Sequence, residues 1–464
     1  MMKNFLKKIV GEKRREIATA KKRMPLEKLR KKVHKSRKNF KKALSQGKRV
    51  ALIAEIKVAS PSKGTIRKKF EIHEVALLYG KYADAISVLT DRKFFRGSLE
   101  NLKQVSELTS KPLLRKDFII DEYQMYEARL YGADAVLLIA NILAEKQIND
   151  FIEIADSLGM DCLVEVDSAE GLKKVLRTGA KILGINNRNL NTFKIDKDKV
   201  GKLVKKIPEK KLKNLSIVAE SGYGSRQDVE SLQGFADAAL VGTSIMASKN
   251  IETKLRELSG KTLVKICGIT NEKDASGAVR LGADFIGLNF YRKSPRYIEP
   301  LKAAAIAKKR GGKVNVVGVF VNEPAANVKK IARKCGLDLL QFSGNESPSY
   351  VKKFDMPVIK TVHVKKRKSL EKIGTYDADY MMLDTFKNEE FGGTGKMFDH
   401  SAMKNLKARR MLFIAGGLRP ENVAKVVKTF RPFVVDVASG VEELPGKKSF
   451  AKMKKFINAV RSVQ

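Results

Sequence analysis

The chain has 464 residues, and its hydrophobic fraction of 43% excludes a disordered polypeptide and suits two or three well-filled domains. No apolar run reaches the roughly 18 residues of a membrane span, and Cys162, Cys267 and Cys335 lack the spacing of a metal site or a disulfide framework. The formal charge of +42 allows nucleic-acid binding, but the lysines are dispersed and no groove-binding motif occurs, so we expect a basic surface that attracts small anions.

The first 49 residues form the most basic segment, with 20 Lys or Arg against 3 Asp or Glu. This segment lacks the apolar stretch and cleavage site of a secretory signal, and Glu12 and Glu16 are unlike a mitochondrial presequence. We interpret residues 1–48 as extra helices packed on the domain that follows. Sparse cysteines fit a reducing compartment, so the sequence predicts a cytoplasmic location.

A phrase of small residues, an aspartate and an apolar run recurs along the chain. It reads YADAISVL at Tyr82, GADAVLLI at Gly132, FADAALVG at Phe235 and GADFIGLNF at Gly282. Each copy follows a stretch with helical periodicity. Short buried strands that alternate with amphipathic helices predict βαβ units and a parallel sheet.

Sixteen such strands fall into two sets of eight, the number that builds a (β/α)8 barrel. The first set lies at 50–56, 85–89, 112–116, 135–139, 162–166, 182–186, 216–220 and 238–242. The second lies at 262–267, 285–290, 314–320, 337–342, 357–362, 380–384, 411–415 and 433–438. The sequence therefore predicts an α/β protein of two tandem barrels, in domains 1–258 and 259–464, with the helical extension on the first.

Polar side chains cluster at the predicted strand ends of the first barrel, where barrels of this kind hold their active sites. Glu55 and Lys57 share one face of the first strand. Other strands end at Lys116, Glu165, Asn186, Arg188 and Glu220. A lone strand-end Glu or Lys is often structural, but two lysines and three glutamates at one mouth indicate acid–base chemistry.

The last two loops of the first barrel are rich in glycine and hydroxyl groups. Loops seven and eight are the usual phosphate site of such barrels, where backbone N–H groups meet the anion. The residues of this predicted site are Ser221, Gly222, Gly242, Thr243 and Ser244.

Long motifs in the first half resemble one enzyme family. IAEIKVASPSKG, SVLTDRKFFRGS, LLRKDFIIDEYQ, LVEV, GINNRNL, VAESGY and LVGTSIM occur in the order found in indole-3-glycerol-phosphate synthases, across residues 1–258. The resemblance implies ring closure of a carboxyphenylamino-deoxyribulose phosphate with loss of carbon dioxide and water. Lys116 would be the general acid at the substrate carbonyl. Glu165 and Lys57 would transfer protons in the dehydration, and the division of roles among these three stays open.

The same resemblance implies the binding residues. Glu55, Asn186 and Glu220 would orient the substrate and stabilise positive charge on the ring nitrogen, and Arg188 would meet the anthranilate carboxylate. The phosphate and nearby hydroxyls would contact Ser60, Ser221, Gly222, Gly242 and Thr243 or Ser244.

In the second barrel, Cys267 ends the first strand and Asp384 ends the sixth. A lone cysteine is more often a buried core residue, but a thiol and a carboxyl facing each other across a barrel mouth would give an isomerase its base and acid. Two glycine-rich loops repeat the phosphate arrangement at Gly416, Gly417, Ser439 and Gly440.

The second half resembles phosphoribosylanthranilate isomerases across residues 260–464. The motifs are KICGIT, GLNFYRKSPRYI, VGVFVNE, MLDT, FGGTGKMFD, IAGGLRPENV and VDVASGVEELPGKK. The resemblance implies an Amadori rearrangement in which Asp384 protonates the furanose oxygen and Cys267 removes the proton from C2. Arg296 would hold the anthranilate carboxylate and Asp436 the ribose end. The phosphate would contact Gly416, Gly417, Ser439 and Gly440.

Two residues depart from the isomerase pattern: Ser343 replaces a usual histidine, and His400 stands where tryptophan is common. One alternative is a pair of phosphosugar barrels with one site degenerate or retuned, and another is a basic nucleic-acid-binding scaffold. We expect a monomer that binds anionic phosphosugar–anthranilate substrates and uses no cofactor or metal. We expect neither a nucleic-acid nor a membrane partner.

Overall fold

A computed structural model describes residues 3–45, 49–61, 64–67, 70–189, 194–309, 314–364, 374–385 and 412–463. Two units divide the chain, Met1–Ser259 and Gly260–Gln464. Within the described ranges, no helix has the length and apolar character needed to cross a bilayer.

Eight parallel strands of the first unit close into a barrel, in which β1 pairs with both β4 and β10. In chain order the strands are β1 (Ala51–Ile56), β2 (Ala59–Ser60), β3 (Gly64–Thr65), β4 (Ala85–Leu89), β5 (Leu113–Lys116), β6 (Ala135–Ile139), β7 (Asp161–Val166), β8 (Ile182–Asn186), β9 (Ser216–Glu220) and β10 (Ala238–Val241). Strands β2 and β3 form a separate antiparallel hairpin after β1. Because the eight barrel strands are parallel, their C-terminal ends all lie at one mouth of the barrel.

Helices surround this barrel and cover the outer faces of its strands. They are α1 (Lys3–Arg23), α2 (Leu26–Arg30), α3 (Phe40–Leu44), α4 (Ile72–Tyr82), α5 (Arg92–Phe95), α6 (Leu99–Leu108), α7 (Glu122–Leu130), α8 (Glu145–Ser157), α9 (Ala169–Val175), α10 (Lys199–Val204), α11 (Glu209–Leu212), α12 (Arg226–Glu230), α13 (Thr243–Met246) and α14 (Ile251–Leu258). The strands are buried on both faces because helices cover one face and the barrel interior the other. Helix α3 contributes Phe40 and Leu44 to the interior layer.

The second unit repeats the architecture with a barrel from β11 to β18. Its strands are β11 (Leu263–Cys267), β12 (Phe285–Asn289), β13 (Asn315–Phe320), β14 (Leu339–Phe342), β15 (Val358–Val364), β16 (Tyr380–Thr385), β17 (Leu412–Ile414), β18 (Val434–Val437), β19 (Glu442–Leu444) and β20 (Lys447–Lys448). Its helices are α15 (Glu272–Arg280), α16 (Pro300–Lys309), α17 (Ala325–Cys335), α18 (Pro348–Val351), α19 (Val423–Phe430) and α20 (Phe450–Arg461), with a 3-10 turn at Ser439–Val441. Aromatic rings fill its interior, where Tyr380 stacks on Phe433 at 5.4 Å.

The predicted fold of two tandem barrels is confirmed, and the predicted strands match the observed ones to within two residues at each end. The helices predicted before the first strand are also present as α1 to α3. These strands can be predicted from local sequence because a parallel barrel strand is buried on both faces. It therefore appears as a short continuous apolar run between stretches of helical periodicity.

Candidate active sites

The mouth of the first barrel opens into a cavity of about 460 Å³. All of the residues singled out in this barrel from the sequence line that cavity. They are Glu55, Lys57, Ser60, Lys116, Glu165, Asn186, Arg188, Glu220, Ser221, Gly222, Gly242, Thr243 and Ser244. These residues lie together because the C-terminal ends of all eight parallel strands are at the same end of the barrel.

An ammonium shared by two carboxylates lies at the centre of this cavity. The Nζ atom of Lys116 donates to Oε2 of Glu165 and to Oε2 of Glu220, each at 2.8 Å. Asn186 fixes the first carboxylate, because its Nδ2 donates to Oε1 of Glu165 at 3.2 Å. The three strands β5, β7 and β9 thus position one cation between two buried acids.

Burial and charge set the protonation of these three groups. Burial lowers the pKa of Lys116, but Glu165 and Glu220 outweigh it and hold that pKa above its usual value. Burial raises the pKa of Glu165, yet Lys116 and its hydrogen bonds bring it below the ordinary value. Burial raises the pKa of Glu220 to about 8, with Glu165 adding to the rise and Lys116 opposing it. The cluster therefore holds an ammonium, one carboxylate and one neutral carboxyl near pH 7.

A second ion pair joins Lys57 to Glu55, whose Nζ and Oε1 atoms are 2.6 Å apart. Two glycines make room for the acids of this site. A Cβ on Gly242 would stand 2.4 Å from Oε1 of Glu55, and one on Gly184 would stand 2.5 Å from Oε1 of Glu220. The need for glycine at position 184 could not be predicted from the sequence, because it depends on the Glu220 side chain that lies next to that position in the folded barrel.

Two loops at one side of the mouth have the backbone form expected for anion binding. Ser221 and Gly222 after β9 both have positive φ, 66° and 92°, a conformation that costs free energy for serine. Helix α13 begins directly after Gly242, which is its N-cap. Both loops line the part of the cavity that the sequence assigned to phosphate.

Part of the cavity lining is apolar and includes the N-terminal extension. Leu6 and Ile9 of α1 line the cavity together with Phe95 and Phe118. The sequence placed this segment on the barrel but did not identify it as part of the site. An aromatic ring would be accommodated by this wall.

One buried lysine anchors α1 beside the C-terminal end of β5. The Nζ atom of Lys13 lies 2.9 Å from Oδ2 of Asp91 and 3.0 Å from Oδ1 of Asp117. Burial raises the pKa of Asp117, but Arg115 and Lys13 outweigh it and lower that pKa to about 2. Asp117 directly follows Lys116 in the sequence, so this ion-pair cluster lies next to the end of β5 that carries Lys116.

The mouth of the second barrel holds a cavity of about 410 Å³. Seven of the residues singled out from the sequence line it: Cys267, Arg296, Asp384, Gly416, Gly417, Asp436 and Ser439. The eighth, Gly440, lies outside the lining, in the 3-10 turn where a Cβ would stand 1.9 Å from the carbonyl oxygen of Leu418. Its missing side chain therefore permits close backbone packing behind the cavity.

A lysine that the sequence did not single out lies beside the cysteine. Lys265 is fully buried, and its Nζ donates to Oδ1 of Asp436 at 3.0 Å. Burial raises the pKa of Cys267, and Lys265 opposes that rise. Burial likewise raises the pKa of Asp436, again against the effect of Lys265. Asp436 thus pairs with a lysine here, whereas the sequence assigned it only to the ribose end.

Arg296, the predicted carboxylate-binding residue, makes a bidentate ion pair with Glu442. Its Nε and Nη2 donate to Oε1 and Oε2 at 2.9 and 2.8 Å. Lys448 donates to the same Glu442 Oε1 at 2.7 Å. Glu442 and Lys448 were not found from the sequence, because they come from the β19–β20 hairpin rather than from a strand end of the barrel.

The serine that replaces the usual histidine lies in the cavity wall within a polar cluster. The Oγ atom of Ser343 is 3.0 Å from Oγ1 of Thr361 and accepts from Nε2 of Gln341 at 3.0 Å. Nε2 of His363 is 2.9 Å from the Ser343 carbonyl oxygen, and His363 is the register partner of Asp384. A histidine thus stands one strand away from the expected place. His400 lies outside the described residues.

Comparison with known proteins gives two family matches. The family model for indole-3-glycerol phosphate synthase matches residues 6–258. The family model for N-(5'-phosphoribosyl)anthranilate isomerase matches residues 264–459. The tryptophan biosynthesis protein TrpCF of Vibrio cholerae is 37% identical over 99% of this chain and 97% of its own length. The protein of the same name from Helicobacter pylori is 36% identical over 99% of this chain and all of its own. A crystal structure of phosphoribosyl anthranilate isomerase from Thermotoga maritima is 41% identical and covers 43% of this chain and 99% of that one, with a TM-score of 0.42.

Proposed function

The chain belongs to the indole-3-glycerol phosphate synthase family over its first barrel and to the phosphoribosylanthranilate isomerase family over its second, and on this premise we propose which residues perform each reaction. It is a bifunctional enzyme of tryptophan biosynthesis. The second barrel rearranges phosphoribosylanthranilate to 1-(2-carboxyphenylamino)-1-deoxyribulose 5-phosphate. The first closes that product to indole-3-glycerol phosphate with loss of carbon dioxide and water.

In the first barrel we assign the general acid to Lys116. Its position between Glu165 and Glu220 is the observation that carries this assignment, since the Glu165 carboxylate favours the protonated ammonium in a buried site and both acids accept its hydrogen bonds. The ammonium hydrogen-bonds the substrate carbonyl oxygen, which becomes a hydroxyl as the aromatic carbon attacks. Glu165 and Lys57 exchange the protons of the dehydration that follows. Asn186 keeps Glu165 oriented for that step.

Charged side chains, an apolar wall and two loops bind the different parts of the synthase substrate. Arg188 meets the anthranilate carboxylate, Glu55 stabilises positive charge on the ring nitrogen, and Glu220 orients the substrate. The aromatic ring packs on the apolar wall formed in part by α1. The phosphate is bound by Ser60 of β2 and by the two loops at Ser221, Gly222, Gly242, Thr243 and Ser244.

In the second barrel the acid and the base are Asp384 and Cys267. Asp384 gives its proton to the furanose oxygen as the ring opens to an iminium ion. Cys267, as thiolate, removes the C2 proton, and the C–H electron pair forms the C1–C2 double bond while nitrogen is neutralised. Arg296 holds the carboxylate and Asp436 the ribose end. The phosphate is bound by Gly416, Gly417 and Ser439, with Gly440 shaping the loop behind them.

Two substitutions separate these assignments in a coupled fluorescence assay that starts from phosphoribosylanthranilate. Lys116→Ala is expected to stop indole-glycerol phosphate formation and to leave isomerisation intact. Cys267→Ala or Asp384→Ala is expected to do the reverse, so each variant carries its own control for folding. Loss of isomerisation in Lys116→Ala would contradict the assignment of one reaction to each barrel. Absence of either activity from the unaltered chain would favour the alternative of a degenerate site.

We also propose that the enzyme is a cytoplasmic monomer that does not bind nucleic acid. The charge of +42 supports electrostatic capture of substrates that carry a phosphate and a carboxylate. Sedimentation at several protein concentrations tests the monomer, and a salt titration with duplex and single-stranded DNA tests the absence of nucleic-acid binding.

A further inference from the structure

We propose that Lys265 stabilises the thiolate form of Cys267 and is therefore a positioning residue for proton abstraction in the second barrel. The proposal rests on the assignment of Cys267 as the base. It concerns a residue outside the acid–base pair, and it predicts a property of the thiol that exists without any substrate.

Strand geometry places the two side chains on the same face. Lys265 and Cys267 are two residues apart on β11, so both point into the barrel. Lys265 is in register with Asp436 on β18, and Cys267 is in register with Gly287 on β12. The ammonium therefore lies between an aspartate on one side and the thiol on the other.

The neighbouring strand leaves space for this contact because it carries a glycine. A Cβ on Gly287 would stand 2.6 Å from Sγ of Cys267 and 3.2 Å from Nζ of Lys265. Both polar atoms thus occupy the volume that a side chain at this position would take. The ammonium and the thiol therefore share the space next to Gly287, and Nζ of Lys265 also donates to Oδ1 of Asp436 at 3.0 Å.

Position and burial favour Lys265 as the cation that stabilises the thiolate. Lys448 and Arg296 also lie near Cys267, but both make ion pairs with Glu442 of the β19–β20 hairpin. Lys265 is fully buried on the same strand as Cys267, and its ion pair among the described residues is with Asp436. A buried ion pair is seldom retained for stability alone, because its desolvation offsets most of the attraction. Here the ammonium gains a second anion when the thiol ionises.

The proton balance of the step agrees with this role. The thiolate takes the C2 proton and becomes a neutral thiol, while Lys265 keeps its three protons throughout. Release of the thiol proton to solvent then restores the thiolate, and the retained ammonium lowers the free-energy cost of that release. Lys265 acts on the substrate only through Cys267.

Alkylation by iodoacetamide, followed by mass mapping of the Cys267 peptide across pH 5 to 10, tests the proposal in the full-length enzyme. Lys265→Met is expected to move the midpoint of the alkylation rate to higher pH and to slow alkylation at pH 7 by at least about tenfold, since the thiolate fraction falls tenfold per pKa unit. The pH profile of isomerase kcat/KM should shift in the same direction. An unchanged midpoint would overturn the proposal.

Two further variants separate this effect from simple destabilisation. Lys360→Met removes a second buried lysine of the same barrel, which pairs with Glu346 at 2.8 Å, and should leave the alkylation midpoint of Cys267 in place. Lys265→Met/Asp436→Asn removes both members of the buried ion pair and should still show the shifted midpoint. Recovery of the original midpoint in this double variant would overturn the proposal, as would an equal shift in Lys360→Met. Synthase activity should be unchanged in all three, and failure of Cys267 itself as the base would appear as an active Cys267→Ala enzyme.

Discussion

Glu165 and Glu220 differ in protonation although both contact the same lysine. The asymmetry follows from their surroundings, because Asn186 adds a hydrogen bond to Glu165 while Glu220 is raised by burial and by its neighbour. Two like charges at one site are costly, so one acid stays neutral. The site thereby presents less negative charge to an anionic substrate near pH 7.

This asymmetry predicts a pH dependence of substrate binding in the synthase reaction. With a pKa of about 8, Glu220 is neutral below that pH and ionised above it. Ionisation adds a negative charge facing a substrate that carries a carboxylate and a phosphate, so KM should rise between pH 7 and 9.5. Glu220→Gln should abolish this rise, as measured by initial rates across the range. An equally steep rise in the variant would show that another group titrates, and the isomerase KM of the same chain serves as the reference.

At the scale of elements, the sequence was sufficient for strands and strand ends. β9 and β8 were predicted with their observed limits, Ser216–Glu220 and Ile182–Asn186, because a buried strand is a local pattern. The residues that were missed depend on register between distant segments. The role of Lys265 depends on its register with Asp436, and the role of Glu442 depends on its ion pair with Arg296. Neither pairing can be read from spacing along one chain.

Helix α1 is the element whose role was least visible in the sequence. The sequence predicted that it packs on the first barrel, and in the structure Lys13 is buried and Leu6 and Ile9 line the synthase cavity. The helix is therefore part of the wall of this site. Its anchor is an ion-pair cluster of Lys13 with Asp91 and Asp117.

Removal of this anchor should weaken the first barrel selectively. Lys13→Met leaves Asp91 buried without this ion pair and Asp117 with Arg115 alone, and removal of one partner of a buried ion pair typically costs about 3–5 kcal/mol. We expect a lower free energy of unfolding for the first unit and faster hydrogen exchange in α1. Synthase KM should rise while isomerase activity is retained. Lys8→Met, at an exposed position of the same helix, is the matched control.

The effect of acid gives an independent measure of the same anchor. The folded pKa of Asp117 is about 2, below its ordinary value of 3.8. Its contribution to stability is therefore complete above about pH 4 and is lost as pH falls toward 2. Unfolding of Lys13→Met should show a smaller loss of stability over this range. An identical acid dependence in the variant and in the parent chain would contradict the proposed anchor.

At the scale of the whole molecule, two closed barrels each contain a cavity with its own acid–base groups. The product of the second barrel is the substrate of the first. Each cavity is lined by the acid–base residues that we assign to its own reaction, so we expect neither reaction to require a group from the other unit. The intermediate can therefore leave one chain and be used by another.

Full-length chains with complementary defects test this independence. An equimolar mixture of Lys116→Ala, which retains the isomerase, and Cys267→Ala, which retains the synthase, should convert phosphoribosylanthranilate to indole-glycerol phosphate. Compared with unaltered enzyme at half the total chain concentration, the mixture contains the same number of each working site. We expect equal steady-state rates and equal lag times in the fluorescence trace, because a released intermediate reaches either chain by diffusion. A mixture with a much longer lag would indicate that the intermediate passes between the two sites of one chain without equilibrating with solvent.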